Sequence, residues 1–190
     1  MWLDSHPNAW RSKNGPYSTF LFWGLLGEIE MSFFYTSFMT PLCEIILAGN
    51  EQGLSHLHMQ TGEGHRVFEI DPSWVRNDDF FVGITKQINE FLAGERTEFD
   101  VRLNPQGTDF QRMVWDELRR IPCGETRSYK DVAIALGNEN ASRAVGTANG
   151  KNPIPLIIPC HRVIAANGGL AGFAHGTKIK QKLLDLEAKA

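Results

Sequence analysis

Residues 152–163 read Asn152-Pro153-Ile154-Pro155-Leu156-Ile157-Ile158-Pro159-Cys160-His161-Arg162-Val163. An apolar, strand-like run from Ile154 to Ile158 delivers a cysteine beside a histidine and an arginine. A thiolate is a strong nucleophile, and nearby positive charge or a hydrogen-bonded imidazole lowers a thiol's pKa toward neutrality. A structural cysteine is more often flanked by apolar residues alone. One Cys-His pair is weak evidence by itself, so its surroundings decide the reading.

Upstream, the pattern is helical. Thr108-Asp109-Phe110-Gln111 is a capping box, and Phe110, Val114 and Leu118 form the apolar stripe of a helix that runs to about Arg120. Pro122 and Gly124 end it. Ser128-Tyr129-Lys130-Asp131 caps a second helix, with Val132, Ala133 and Leu136 on its buried side and Gly137 at its end. A third helix, Asn140 to Asn149, is rich in small residues. Two short helices joined by a Gly-containing turn form a helix-turn-helix pattern.

The first half differs. Ser32 to Phe38, Glu44 to Ala48, Leu54 to Met59 and Arg66 to Ile70 read as short strands, with a turn cluster at Gly49-Asn50-Glu51-Gln52-Gly53. Phe81, Ile84, Ile88, Phe91 and Leu92 then share one helix face, stopped at Gly94. The fold class is α+β: a small antiparallel sheet with a helix, followed by a mostly helical region. The expected divisions are a polar, aperiodic extension over 1–30, with Met31 as an alternative start, an α/β domain and linker over 31–107, and a C-terminal domain over 108–190.

The net charge of -3 over 190 residues argues against a nucleic-acid binder until it is counted by halves. Residues 1–100 carry 6 Lys and Arg against 14 Asp and Glu, a balance of -8; residues 101–190 carry 13 against 8, a balance of +5. Such asymmetry points to nucleic acid or an acidic partner. The composition excludes disorder, collagen and a small disulfide scaffold. Three cysteines, Cys43, Cys123 and Cys160, at unrelated spacings form no disulfide framework, and no Cys-x-x-Cys pair exists. The apolar run from Phe20 to Gly27 is too short to span a bilayer and lacks signal-peptide flanks. The expected compartment is the cytoplasm, with no membrane partner.

Pro159-Cys160-His161-Arg162, preceded by Asn152-Pro153 and Pro155, resembles the active-site signature of the O6-alkylguanine-DNA alkyltransferases, the methylated-DNA–protein-cysteine methyltransferases. The resemblance runs from about Thr108 to Ala190 and takes in Gly124-Glu125-Thr126 before Ser128-Tyr129, Arg143-Ala144-Val145-Gly146, and Lys182-Leu183-Leu184 before Glu187. The N-terminal half matches in its general layout, which the resemblance makes ribonuclease-H-like.

The resemblance implies irreversible, single-turnover transfer of the alkyl group from O6-alkylguanine, and from O4-alkylthymine, to Cys160 after nucleotide flipping. His161 and Glu187 match residues that act through a bridging water to draw the proton from the thiol. Asn152 matches the residue that holds the active-site turn. Tyr129 matches a phenol that donates to the purine as charge develops on it. The third helix resembles one that enters the minor groove of double-stranded DNA. Small residues there, Ser142, Ala144, Gly146 and Ala148, allow close approach, and Arg143 matches the side chain that fills the gap left by the flipped nucleotide. Val163 and the loop from Gly168 to Gly176 would line the pocket, with Phe173 as an apolar wall. Ala174 stands where some members carry a hydroxyl. The chain is expected to act as a monomer without a cofactor.

Some relatives hold zinc in the N-terminal domain. Here Cys43, His56, His58 and His65 form no closed four-ligand set of familiar spacing, so no zinc is expected. The main alternative, a non-catalytic alkyltransferase-like lesion-binding protein, would replace the nucleophile, and Cys160 is present. A cysteine hydrolase would leave the helix-turn-helix unexplained and would draw its histidine from elsewhere in the chain. A transcription activator would need a second basic DNA-binding module.

Overall fold

A meander opens the described structure. β1 (Phe34–Met39), β2 (Glu44–Asn50) and β3 (Gly53–Gln60) pair antiparallel in succession. The β2–β3 turn is closed by the Asn50 side chain, whose Oδ1 accepts from the Gln52 N–H at 3.0 Å. A short β4 (Val75–Arg76) adds to β1 in parallel, giving the order β3-β2-β1-β4. The computed structural model describes residues 32–64 and 66–189. The expectations for residues 1–31, including the alternative start, and for His65 lie outside the described residues.

Residues 66–70 form no strand. The edge of β3 that such a strand would use is taken. Leu54 N–H donates to the Arg102 carbonyl, Asn104 N–H to the Leu54 carbonyl, and Leu57 N–H to the Pro153 carbonyl. The first two of those bonds pack the expected linker, residues 100–107, against the sheet, and all three protect an edge that would otherwise stay unpaired.

α1 (Val82–Leu92) follows a 3-10 turn and ends before Gly94, which adopts the φ of 76° that a residue with a side chain avoids. α2 (Asp109–Leu118) carries the expected capping box between Thr108 and Gln111. After the short strand β5 (Arg127–Ser128), α3 (Tyr129–Ala135) begins with a second capping box, between Ser128 and Asp131. α4 (Ser142–Gly150) is preceded by a 3-10 turn over Glu139–Ala141, so the regular helix starts two residues later than its small-residue pattern suggests. β6 (Val163–Ile164) pairs with β5, and α5 (Thr177–Glu187) completes the described chain.

One core joins the two halves. Ile45, Leu47, Phe81, Ile88 and Phe91 belong to the same buried cluster as Val114, Trp115, Leu118, Ile154 and Leu183. Trp115 reaches across it, and its indole N–H donates to the Ala148 carbonyl at 2.9 Å. Ala148 therefore faces inward, while Arg143 and Ala144 are exposed. Among the described residues no helix is long and apolar enough to cross a membrane.

Candidate active site

The run from Ile154 to Ile158 is a buried turn and not a strand. Prolines at 153, 155 and 159 lack the N–H groups that a ladder requires. Asn152 replaces the ladder with its side chain: Nδ2 donates to the Ile158 carbonyl at 2.8 Å, and Oδ1 accepts from the Ile154 N–H at 3.0 Å. Leu156 takes a φ of 77°, a conformation that persists only where surrounding contacts fix it. The turn ends in a 3-10 segment, Cys160–Arg162, whose three residues are all buried.

Cys160 lies on a cavity of about 260 Å³. Tyr129, Phe173 and Ala174 line it, together with Asn152, Pro155 and Gly146. Gly172, Asn149 and Gly150 complete the C-terminal part of its wall, and Arg66 and His175 close it. Val163 is outside that lining: it is fully buried, pairs with Arg127, and offers its carbonyl to Lys180. Ser142, Ala144 and Arg143 sit on the first turn of α4, outside the cavity, whereas the second half of α4 enters it.

Behind the thiol is a polar network. His161 Nε2 lies 2.7 Å from Glu187 Oε1. The carboxylate can only accept, so Nε2 carries the proton and Nδ1 is left as the acceptor. That Nδ1 is buried and has no hydrogen-bond partner among the described residues. Arg162 grips both carboxylate oxygens, with Nε to Oε2 and Nη2 to Oε1 each at 2.9 Å, and its Nη1 donates to the Ile121 carbonyl at 2.6 Å. Gly124 N–H donates to Glu187 Oε2 at 3.1 Å. Glu187 thus ties the end of α5 to the loop after α2 and to the Cys160 turn.

The electrostatics follow from burial and partners. Burial pushes the Cys160 thiol up; the Asn152 side chain, Lys180 and Arg66 pull against it. Burial also lowers the His161 imidazole, against the pull of Glu187, so the ring is neutral near neutral pH. Burial would raise the Glu187 carboxyl, but hydrogen bonds from His161 and Arg162 outweigh it and hold it at about 2. Tyr129 is raised, first by burial and then by the thiolate form of Cys160, so its phenol stays a neutral donor. The resting site is thiol, imidazole and carboxylate.

The cation beside Cys160 in sequence is not the one that acts on it. Arg162 is committed to Glu187, and the charges felt by the thiol come from Lys180 and Arg66. Lys180 is fully buried, donates to the Val163 and Leu170 carbonyls, and is lowered by burial to about 8. Sequence reading missed Lys180, Asn149 and Arg66, whereas His175 falls in the loop from Gly168 to Gly176 that was expected to line the pocket. Lys180 falls on the buried face of α5 with Ile179 and Leu183, and Asn149 falls in the helix expected to approach DNA, so two signals were present. Arg66 comes from the acidic half, in which sequence reading placed no active-site residue.

His56 and His58 lie on β3 among the rings of Phe68 and Trp74. Among the described residues no group of three or more His, Cys, Asp or Glu side chains is placed to hold a metal ion. Cys43 is buried in the core, with its thiol raised by burial to about 11.

A fold of a sheet half and a helix-turn-helix half, with a buried cysteine on a cavity wall and a buried His161–Glu187 pair next to it in the chain, defines a class of cysteine-based, DNA-handling protein. Two family models match: the ribonuclease-like domain of 6-O-methylguanine DNA methyltransferase over residues 33–105 and its DNA binding domain over residues 109–189. The chain belongs to the methylated-DNA–protein-cysteine methyltransferase family. It is 49% identical over 154 residues to the methylated-DNA–protein-cysteine methyltransferase of Methanosarcina acetivorans, covering 81% of this chain and 97% of that protein. The Mycobacterium tuberculosis relative of the same name is 46% identical over 155 residues, 80% of this chain and 91% of that one. The crystal structure of Mycobacterium tuberculosis OGT in complex with DNA superposes with a TM-score of 0.76 at 44% identity, covering 82% of this chain and 93% of that chain.

Proposed function

We propose that this protein repairs DNA by moving the alkyl group of O6-alkylguanine directly and irreversibly to Cys160. The observation that carries the reading is a cavity with one thiol on its wall and a buried His161–Glu187 relay behind that thiol. The names of the relatives support it.

In the reaction, the thiol proton leaves through a water that bridges Sγ to the free Nδ1 of His161, and the imidazolium formed is stabilised by Glu187. Cys160 Sγ attacks the alkyl carbon in line, the C–O6 bond breaks, and its electron pair goes to the guanine. Tyr129 donates to the purine as that charge grows. A proton taken up by the base restores guanine. The thioether on Cys160 is not a leaving group here, so each molecule acts once. Asn152 keeps the Cys160 turn in place, and Phe173 and Ala174 face the substrate. With no hydroxyl at Ala174, donation to O6 falls to backbone N–H groups. O4-alkylthymine offers the same kind of electrophilic carbon and is a second substrate.

An alkyl carbon inside the duplex is out of reach of the thiol, so the nucleotide is flipped. α4 enters the minor groove as part of a monomer: exposed Ala144 allows close approach, and Arg143 fills the space left behind. The test is intact-mass analysis after incubation with duplex DNA containing O6-methylguanine. One methyl group per molecule is expected, mapped to Cys160 and absent in Cys160→Ala, which keeps DNA binding. No mass gain, or several turnovers per molecule, refutes the proposal.

A further inference from the structure

Among the described residues, Arg66 is the one positively charged side chain that the acidic half contributes to the cavity holding Cys160. Its loop is not simply near the site; it is docked onto it. Thr61 Oγ1 donates to the His175 carbonyl at 2.6 Å. Lys178 Nζ pairs with Glu63 Oε1 at 2.6 Å. At Gly64 the two loops approach so closely that a Cβ would collide with the Ala174 carbonyl. These contacts deliver Arg66 to the cavity, where its Nη1 donates to the carbonyl of Asn152. Asn152 is the residue whose side chain replaces the ladder of the Cys160 turn.

We infer that Arg66 is a positioning residue for the alkyl transfer: it pins the Asn152 carbonyl, and with it the turn that presents Cys160, and it sets a fixed positive charge on the wall of the reaction cavity. The inference rests on the proposed use of Cys160 as nucleophile. A guanidinium suits both tasks, because it keeps its charge when half-buried and has donors to spare after one bond is made. Other groups share the field. Lys180 faces Cys160 from α5, and Tyr129 faces it from α3. The Arg66 charge is also felt by His56 and His58 on β3, and His175 lines the same cavity. His56 and His58 are both lowered by burial first, so near neutral pH they are neutral and leave the Arg66 charge in place.

The experiment measures single-turnover transfer against pH, from 6 to 10, for the full chain and for Arg66→Met and Arg66→Lys, using both O6-methylguanine duplex and the free base O6-benzylguanine. Thermal melts accompany each variant. Arg66→Met is expected to react about ten-fold more slowly at pH 7 on both substrates, because the turn that presents Sγ loses its pin and the cavity wall loses its fixed charge. Arg66→Lys, which keeps the charge, should retain most of the rate. A Met variant that is folded and as fast as the unmodified protein on both substrates overturns the inference. So does a Lys variant as slow as the Met variant at every pH. If the unmodified protein transfers no alkyl group, it is the nucleophile assignment that fails, and the two failures are thereby told apart.

Discussion

Replacing Glu187 by Gln keeps the shape of the side chain and removes its charge. Glu187 accepts from Arg162, from the Gly124 N–H and from His161, and it is nearly inaccessible to solvent. Its carboxyl is held at about 2 against an ordinary value of 4.5. That difference corresponds to about 3 kcal/mol of stability at neutral pH. The cost of leaving one partner of a buried pair uncompensated, here Arg162, falls in the same range of about 3–5 kcal/mol. The pH dependence follows from the sign of the shift. A carboxyl lowered by folding stabilises the protein above about pH 4.5, and that stability is lost as pH falls through about 2. Urea unfolding of the two proteins should therefore differ by about 3 kcal/mol from pH 7 to pH 5, with less than half of that gap left at pH 3. A protonated glutamic acid and a glutamine offer Arg162 nearly the same partner, which is why the gap closes. Transfer to Cys160 should slow as well, because the imidazolium loses its counter-charge. Equal stability at pH 7, or a gap that does not shrink on acidification, would refute the reasoning.

Two further outcomes bear on the roles assigned to the cavity and to α4. Tyr129→Phe should slow alkyl transfer by about a hundred-fold, the usual loss when one donor to a developing anion is removed, while changing unfolding free energy by about 1 kcal/mol or less. A rapid-quench assay on O6-methylguanine duplex measures the first and urea unfolding the second, and an unchanged rate removes Tyr129 from the mechanism. Arg143→Ala should slow repair of duplex DNA by about ten-fold and leave the reaction with free O6-benzylguanine unaltered, since only the duplex requires a nucleotide to be flipped. Equal losses on both substrates would place Arg143 outside the flipping step.

The elements with strong local signals were legible in the sequence. Capping boxes at Thr108 and Ser128 mark α2 and α3 because the partners of those N–H groups lie three residues away in the chain. What could not be read is long-range. Residues 66–70 have the apolar content of a strand, but strand formation needs a free edge, and the edge of β3 is occupied by Arg102, Asn104 and Pro153, which are distant in sequence. The run from Ile154 to Ile158 also looks like a strand, and its prolines were visible, yet the side-chain substitute for the ladder at Asn152 is seen only in three dimensions. Within the site, local adjacency misled. Arg162 sits two positions from Cys160 and faces Glu187, whereas Arg66, 94 positions away, shares the cavity with the thiol. Charge counted by halves separates a basic half from an acidic one, but it averages away Arg66, which the acidic half sends to the cavity.

The cysteine's environment fits a protein that is spent by its own reaction. A thiol activated in advance, as an exposed thiolate, would react with any electrophile that met it, and one such event would waste the molecule. Here burial works against the thiolate, and Cys160 is 4% exposed. Lys180, Arg66 and the Asn152 side chain reduce that penalty without abolishing it, so the resting group remains a thiol. His161 is likewise held neutral by burial, with its acceptor nitrogen unused, which suits the proposed uptake of the thiol proton. A base that enters the cavity excludes water and brings the electrophilic carbon to Sγ, and both changes make proton loss and attack favourable together. On this account selectivity comes from coupling activation to occupancy of the cavity. Removing buried Lys180 or half-buried Arg66 would then reduce the reaction with bound substrate far more than it would alter the reactivity of the empty site, which burial already suppresses.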